Sequence, residues 1–294
     1  MGLDRSINLD TKTMKEKNKN GSNFVREICV AGPCIDVAIK YSSNRQGQRA
    51  PKTNPTREAV LKNNDRIAVK KLTRLLNANF FPGDWHITLT YDGEIPAEKE
   101  AKKELKNFLR RIEREYKKAG KVFKYIAVTE YKNHRIHHHV VVSHIDSDII
   151  IKQWKRGHVN FSPLNNTRNY RKLAEYLIKE TSKTLREPGN EVKQRWSASR
   201  NLIRPVVMRQ SVQPKALYEE PKAFKGYQID PDTVCRFENP YTGIEHLEYM
   251  MVSMDPVPRI KSWRSGIAVD KQETMHRATQ VQMRIDSLDE WYFA

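Results

Sequence analysis

The sequence is poor in cysteine, with 3 in 294 residues, at Cys29, Cys34 and Cys235. An odd, low number gives no disulfide framework and makes a reducing cytoplasm the expected compartment. Cys29 and Cys34 have the spacing of half a zinc site, but no second Cys/His pair of suitable spacing follows. Long apolar runs are also missing. Nothing approaches the roughly 18 consecutive apolar residues of a membrane helix, so no membrane association is expected. Met1 to Asn20 is polar and lysine-rich with no apolar segment, which argues against a secretory signal. Acidic residues are scarce against basic ones, 35 to 53, leaving a formal net charge of +18. An excess of that size, spread along the chain, points to a polyanionic partner, nucleic acid before others. A phosphate-cradling Gly-x-x-x-x-Gly-Lys-Ser/Thr loop is absent from this sequence as well, so no P-loop motor is expected in it.

What is present is ordered mainly in the middle of the chain. Residues 1–56 read as a basic, loop-rich extension whose one apolar piece, Ile28–Ile39, is broken by Gly32 and Pro33. Arg57 to Asn79 shows helical periodicity, stopped by Pro82-Gly83. Trp85 to Tyr91 alternates, with Ile87, Leu89 and Tyr91 on one face and His86, Thr88 and Thr90 on the other, the pattern of a half-buried strand. Ala97 to Ala119 is an amphipathic helix with Leu105, Phe108, Leu109, Ile112 and Tyr116 on one stripe, ended by Gly120. Strands follow at 122–131 and 136–143, then a short helix capped by Asp146 or Ser147, a strand at 157–161 and a helix from Arg168 to about Lys183. The order β-α-β-β-α-β-α is that of an α+β, ferredoxin-like or RRM-like split βαβ fold. It has a central antiparallel sheet, helices on one face and the other face open. The expected organisation is an extension over 1–56, a principal domain over 57–188, and a basic region over 189–294 that binds DNA or extends the domain.

The sharpest feature is Ile136-His137-His138-His139-Val140-Val141-Val142. On a strand, His137 and His139 point to one face and His138 to the other, with Ile136, Val140 and Val142. Side chains two apart stand roughly 6–7 Å from one another, so the two imidazoles can converge on one divalent cation. Glu130 is the expected third ligand, because the hairpin returns it beside them. The bland alternative is a surface histidine cluster. His86 shares the polar face of the first strand with Thr88 and Thr90 and reads as a further ligand, a phosphate contact or a plain polar residue. His134 and His144 flank the third strand and read as solvated, and His158 is uninformative.

The second feature is Tyr176 with Lys179 three residues on, neighbours on a helix surface. A tyrosine hydroxyl can attack a phosphodiester to give a covalent phosphotyrosine. A nearby ammonium lowers the phenol's pKa or stabilises charge on the phosphate. Taken alone, the same residues describe an amphipathic helix with a packed tyrosine and a snorkelling lysine.

Together these segments resemble the HUH endonucleases, the rolling-circle replication initiators of small phages, plasmids and circular single-stranded DNA viruses. His86-Ile87-Thr88-Leu89-Thr90 is similar to the family's first motif, His137-His138-His139 to its second, and Tyr176 to Lys179 to its third. The resemblance covers about residues 57–188. It implies the HUH nuclease fold and strand-specific nicking of single-stranded origin DNA, dependent on Mg²⁺ or Mn²⁺. Tyr176 becomes joined to the 5′-phosphate, with Lys179 beside it and His137, His139 and Glu130 as metal ligands. It further implies rejoining without ATP, and a host helicase and polymerase as partners. Two-tyrosine members carry their second nucleophile four residues away on the same face. Tyr170 is six residues before Tyr176, so a single-tyrosine enzyme is expected. A relaxase or transposase would use the same chemistry.

DNA contacts are expected from Thr88 and Thr90 on the first strand. Others are expected from the basic segment 186–209, in particular Arg195 and Arg200 near Trp196, through phosphate contacts and stacking. A non-catalytic nucleic-acid-binding protein on an RRM-like sheet predicts exposed aromatics on its central strands. Here the polar faces carry His86, Thr88, Thr90, His137 and His139 instead. A metal-dependent nuclease without a covalent step is the remaining alternative.

Overall fold

The computed structural model describes residues 23–42, 55–131, 136–185 and 194–255. Among these, the protein is α+β, with two antiparallel five-stranded sheets and four α-helices. None of these helices is long and apolar enough to cross a membrane. The chain divides into two compact units, and the larger comprises mainly residues 64–205.

The sheet of the larger unit has the order β6-β3-β5-β4-β7, from β3 (Trp85–Thr90), β4 (Tyr125–Glu130), β5 (His137–Val142), β6 (Val159–Pro163) and the short β7 (Ser197–Ala198). With α2 (Glu98–Lys118) between β3 and β4 and α3 (Ser147–Gln153) between β5 and β6, this is the split βαβ arrangement, and β3 and β5 are its central pair. The register sets Thr88 against His139 and Thr90 against His137, and on the other side Glu130 against His137. Pairing partners share a face, so these residues come together by register alone.

The two faces bury different cores. Ile87, Leu89, Ala127, Val140 and Val142 pack against Leu105, Phe108, Ile112 and Tyr116 of α2 and Ile150 of α3. The α2 residues recur at helical spacing, and full burial of each contributes about 1.5–3 kcal/mol. Gly120, at φ 65°, ends α2, and the Lys121 amide donates back to the Tyr116 carbonyl. Asp146 caps α3 by accepting from the Asp148 amide at 2.8 Å.

The opposite face differs from the sequence expectation of an open surface. Ile126, Val128 and Val141 are buried there under Leu72 and Leu76 of α1 (Arg57–Asn79) and under Ala174, Leu177 and Ile178 of α4 (Arg171–Leu185). Valines and isoleucines at these strand positions carry an apolar half-face that has to be covered. Among the described residues, the polar side chains Thr88, Thr90, Glu130, His137 and His139 lie toward the other end of that face.

The smaller unit is a sheet of order β8-β1-β2-β10-β9. It joins β1 (Phe24–Ala31) and β2 (Cys34–Tyr41) to β8 (Val207–Val212), β9 (Tyr227–Glu238) and β10 (Glu245–Ser253). The Gly32-Pro33 break is thus the turn of a hairpin, with Gly32 at φ 58°. The two segments that read from sequence as separate extensions pair with each other, β1 with β8 and β2 with β10. Cys29 and Cys34 are buried. Glu27 is buried between Lys40 and Arg209, each 2.9 Å from its Oε1. Burial pushes its carboxyl up, but the two cations outweigh this and hold it below the ordinary value.

Candidate active site

Glu130, His137 and His139 are the group among the described residues whose side chains can hold a metal ion, with one ligand atom from each lying within 4.8 Å of the others. Glu130 Oε2 is 3.0 Å from His137 Nε2 and 4.0 Å from His139 Nε2. The imidazole rings of His137 and His139 are 4.9 Å apart and nearly perpendicular. Their environments differ. The side chain of His139 is 3% exposed and that of His137 is 23% exposed, so solvent reaches the group from the His137 side. Two nitrogens and one carboxylate oxygen, with one side open, suit a divalent cation that keeps positions for other ligands.

His139 is held at both ring nitrogens. Its Nδ1 lies 3.2 Å from Thr88 Oγ1 and 3.3 Å from His86 Nε2. Its Nε2 faces Glu130 and the hydroxyl of Tyr176, the latter at 3.4 Å. Burial pulls His139 down to about 3, aided by His86 and His137 and opposed by Glu180, and pulls His86 down to about 4. Both rings are therefore neutral near pH 7, as metal ligation by imidazole requires.

The middle histidine does different work. His138 is fully buried on the opposite face, with Nε2 2.8 Å from the Tyr91 hydroxyl and Nδ1 2.8 Å from Thr129 Oγ1. Burial lowers its pKa to about 3. With both nitrogens engaged in the core, it takes no part in the group formed by its two neighbours.

Tyr176 reaches the site from α4. Ala174, Leu177 and Ile178 are buried against the sheet, and this turns Tyr176, 43% exposed, over the sheet's polar end. Its ring stands edge-on to His139 at 5.2 Å and to His86 at 6.3 Å. The start of α4 is tied to α1 by the Asn77 side chain, which accepts from the Tyr170 amide at 2.8 Å. Tyr170 itself is buried in the core. Lys179 is exposed one turn beyond Tyr176.

The remaining expected site residues are scattered. Thr90 sits at the site end of β3, and its hydroxyl donates to the His158 carbonyl at 3.3 Å. Arg195 is not directed at the site. Its guanidinium donates to Asp65 at 2.6 Å and to Ser182 at 2.8 Å, an internal bridge between α1 and α4. Arg200 is exposed, just after β7. His144, expected to be solvated, instead stacks on Trp85 at 5.7 Å, with Nδ1 3.0 Å from the Gly83 carbonyl. His134 and the Lys132–Arg135 turn lie outside the described residues, as do Arg186 and Pro188-Gly189. The contact of His86 and Thr88 with His139 escaped the sequence reading. Alternation places both on the correct face, but only the cross-strand register sets them against that particular imidazole.

Residues 84–185 match the family model described as Replication-associated protein ORF2/G2P. The matched segment runs from β3 to the end of α4 and contains Glu130, His137, His139 and Tyr176. It bears out the resemblance to rolling-circle replication initiators over that stretch. No curated protein and no solved structure matches the chain.

Proposed function

We propose that this chain initiates rolling-circle replication by nicking and rejoining single-stranded origin DNA through Tyr176. The observation that carries the reading is the exposed phenol held 3.4 Å from His139 Nε2, beside a Glu/His/His group that fits a divalent cation. The Tyr176 oxygen attacks the scissile phosphorus. An O–P bond forms to the tyrosine, the P–O3′ bond breaks, and the phenolic proton is lost as the 3′-oxygen gains one. The phosphotyrosine conserves the energy of the phosphodiester, so the reverse transesterification closes the strand without ATP. Mg²⁺ or Mn²⁺ held by Glu130, His137 and His139 would supply a positive charge to a non-bridging phosphate oxygen. Lys179, one helical turn from the nucleophile, adds charge where the phosphate becomes more negative. Thr90 and Arg200 are the residues proposed to contact the DNA backbone. A host helicase and polymerase supply unwinding and synthesis.

A relaxase or transposase would use the same bond chemistry and differ in the DNA it selects. The test is incubation with single-stranded origin oligonucleotides and Mn²⁺, read as a protein–DNA adduct on denaturing gels. Tyr176→Phe is expected to abolish both adduct and cleavage. Cleavage that survives in that variant makes the chain a nuclease without a covalent step. Undiminished metal-dependent cleavage in His137→Ala/His139→Ala places the cation elsewhere.

A further inference from the structure

The first-strand pair His86 and Thr88 stands behind the candidate metal ligand His139. Thr88 faces His139 directly across the β3–β5 ladder, and His86 lies one step along the same face, opposite Val141. Their polar atoms converge on one nitrogen, His139 Nδ1, at 3.2 and 3.3 Å. The other nitrogen of that ring is the one turned to Glu130 and Tyr176. A neutral imidazole has one N–H and one lone pair, and whatever binds one nitrogen decides what the other offers. His86 also flanks the other two rings, tilted on His139 at 5.3 Å and edge-on to Tyr176 at 6.3 Å, while those two meet directly at 5.2 Å.

We infer that His86 and Thr88 are positioning residues: they accept the Nδ1–H of His139, so that its Nε2 lone pair is presented to the cation. This rests on the reading of Glu130, His137 and His139 as the metal site. It reassigns Thr88 from contact with DNA to support of a ligand. Two acceptors on one N–H also mean that neither single loss strips His139 of a partner, so the effect of the pair exceeds the effect of either member.

The test uses the full chain in three forms. In His86→Phe/Thr88→Val, an aromatic ring and a branched side chain are kept but both acceptors are removed. In His86→Gln/Thr88→Ser, an acceptor stays at each position. His137→Ala removes a ligand outright. Mn²⁺ affinity is measured by titration calorimetry, and the His139 tautomer by nitrogen-15 NMR of the metal-free protein. The double apolar variant is expected to bind Mn²⁺ about 10–100-fold more weakly, the usual effect of losing a partner behind a ligating histidine. It is also expected to lose the Nδ1–H tautomer that wild type and the Gln/Ser variant show. If the double variant fails to fold, the single His86→Phe and Thr88→Val proteins carry the test, each with a smaller loss. Wild-type affinity in the apolar variants alongside lost binding in His137→Ala overturns the positioning role and leaves the metal site standing. An Nε2–H tautomer for His139 in the metal-free wild type overturns it without reference to metal. Absence of Mn²⁺ binding by wild type overturns the metal reading itself.

Discussion

Three adjacent histidines show how little residue type says before geometry is known. His137 is partly exposed at the candidate metal group, whereas His138 is sealed in the core with both nitrogens bonded. His138→Ala strands the Tyr91 and Thr129 hydroxyls and leaves a cavity, so it is expected to lower stability by about 2–4 kcal/mol in urea unfolding. His137→Ala is expected to change stability by about 0.5 kcal/mol or less while removing Mn²⁺ binding. The reverse pattern would mean that the faces have been exchanged. Asp84 offers a second residue-scale test. Its two oxygens accept the Phe81 and His144 amides at 2.8 Å. Burial pushes the carboxyl from 3.8 up to about 7 against those bonds and Lys124. The folded chain thus holds this proton more tightly than the unfolded one. The contribution to stability is complete below pH 3.8 and is lost as pH rises through about 7. Asp84→Asn has no such proton, so its Tm relative to wild type should rise between pH 4 and 7; a difference that does not change with pH contradicts the assignment.

Among the elements, α4 and the end of β3 decide the site. Leu177 and Ile178 anchor α4, and Asn77 fixes its first turn. Asn77→Ala removes that bond and is expected to cost about 1 kcal/mol. Because Tyr176 rides on the same helix, adduct formation should slow more than oligonucleotide binding weakens. Equal effects on both would detach the Asn77 bond from the placement of Tyr176. At the other edge of the site, the strand end is gripped by its neighbours. The Thr90 carbonyl accepts from Trp154 Nε1 at 2.8 Å, and the Thr90 amide donates to the His158 carbonyl at 3.0 Å. Gly157 lies so close that a Cβ there would stand 2.3 Å from the Thr90 carbonyl oxygen and 2.8 Å from the Asp92 nitrogen. Backbone cannot yield as a side chain does, so Gly157→Ala should destabilise by about 1–3 kcal/mol. Thermal melting checks this, and an unchanged Tm would show that the close approach is relieved at no cost.

For the whole molecule, a net charge of +18 makes DNA binding a salt-dependent property. The two arginines singled out from sequence should now behave differently. Arg200→Glu is expected to weaken single-stranded DNA binding and to flatten its salt slope by about 0.7, the share of one phosphate contact. Arg195→Glu sets like charges together at Asp65, so it should lower Tm before it affects the salt slope. Fluorescence anisotropy across a salt series, paired with melting curves, separates the two. A slope changed by Arg195 and untouched by Arg200 would reverse the assignment.

Periodicity alone determined the order of strands and helices from Trp85 to Leu185, because helix and strand patterns differ in the period at which apolar residues recur. It also determined that His137 and His139 share a face that His138 does not, since alternation is a property of any strand. Composition determined the net charge. The tertiary structure decided the rest, and in each case the reason is contact between distant residues. Register selected Thr88 and His86 as neighbours of His139. Packing of α1 and α4 closed half of a face that a two-layer pattern leaves open. Asp65, 130 residues away in sequence, claimed the guanidinium of Arg195. The pairing of β1 with β8 and β2 with β10 likewise joined segments far apart in sequence, and no local pattern encodes a strand's partner.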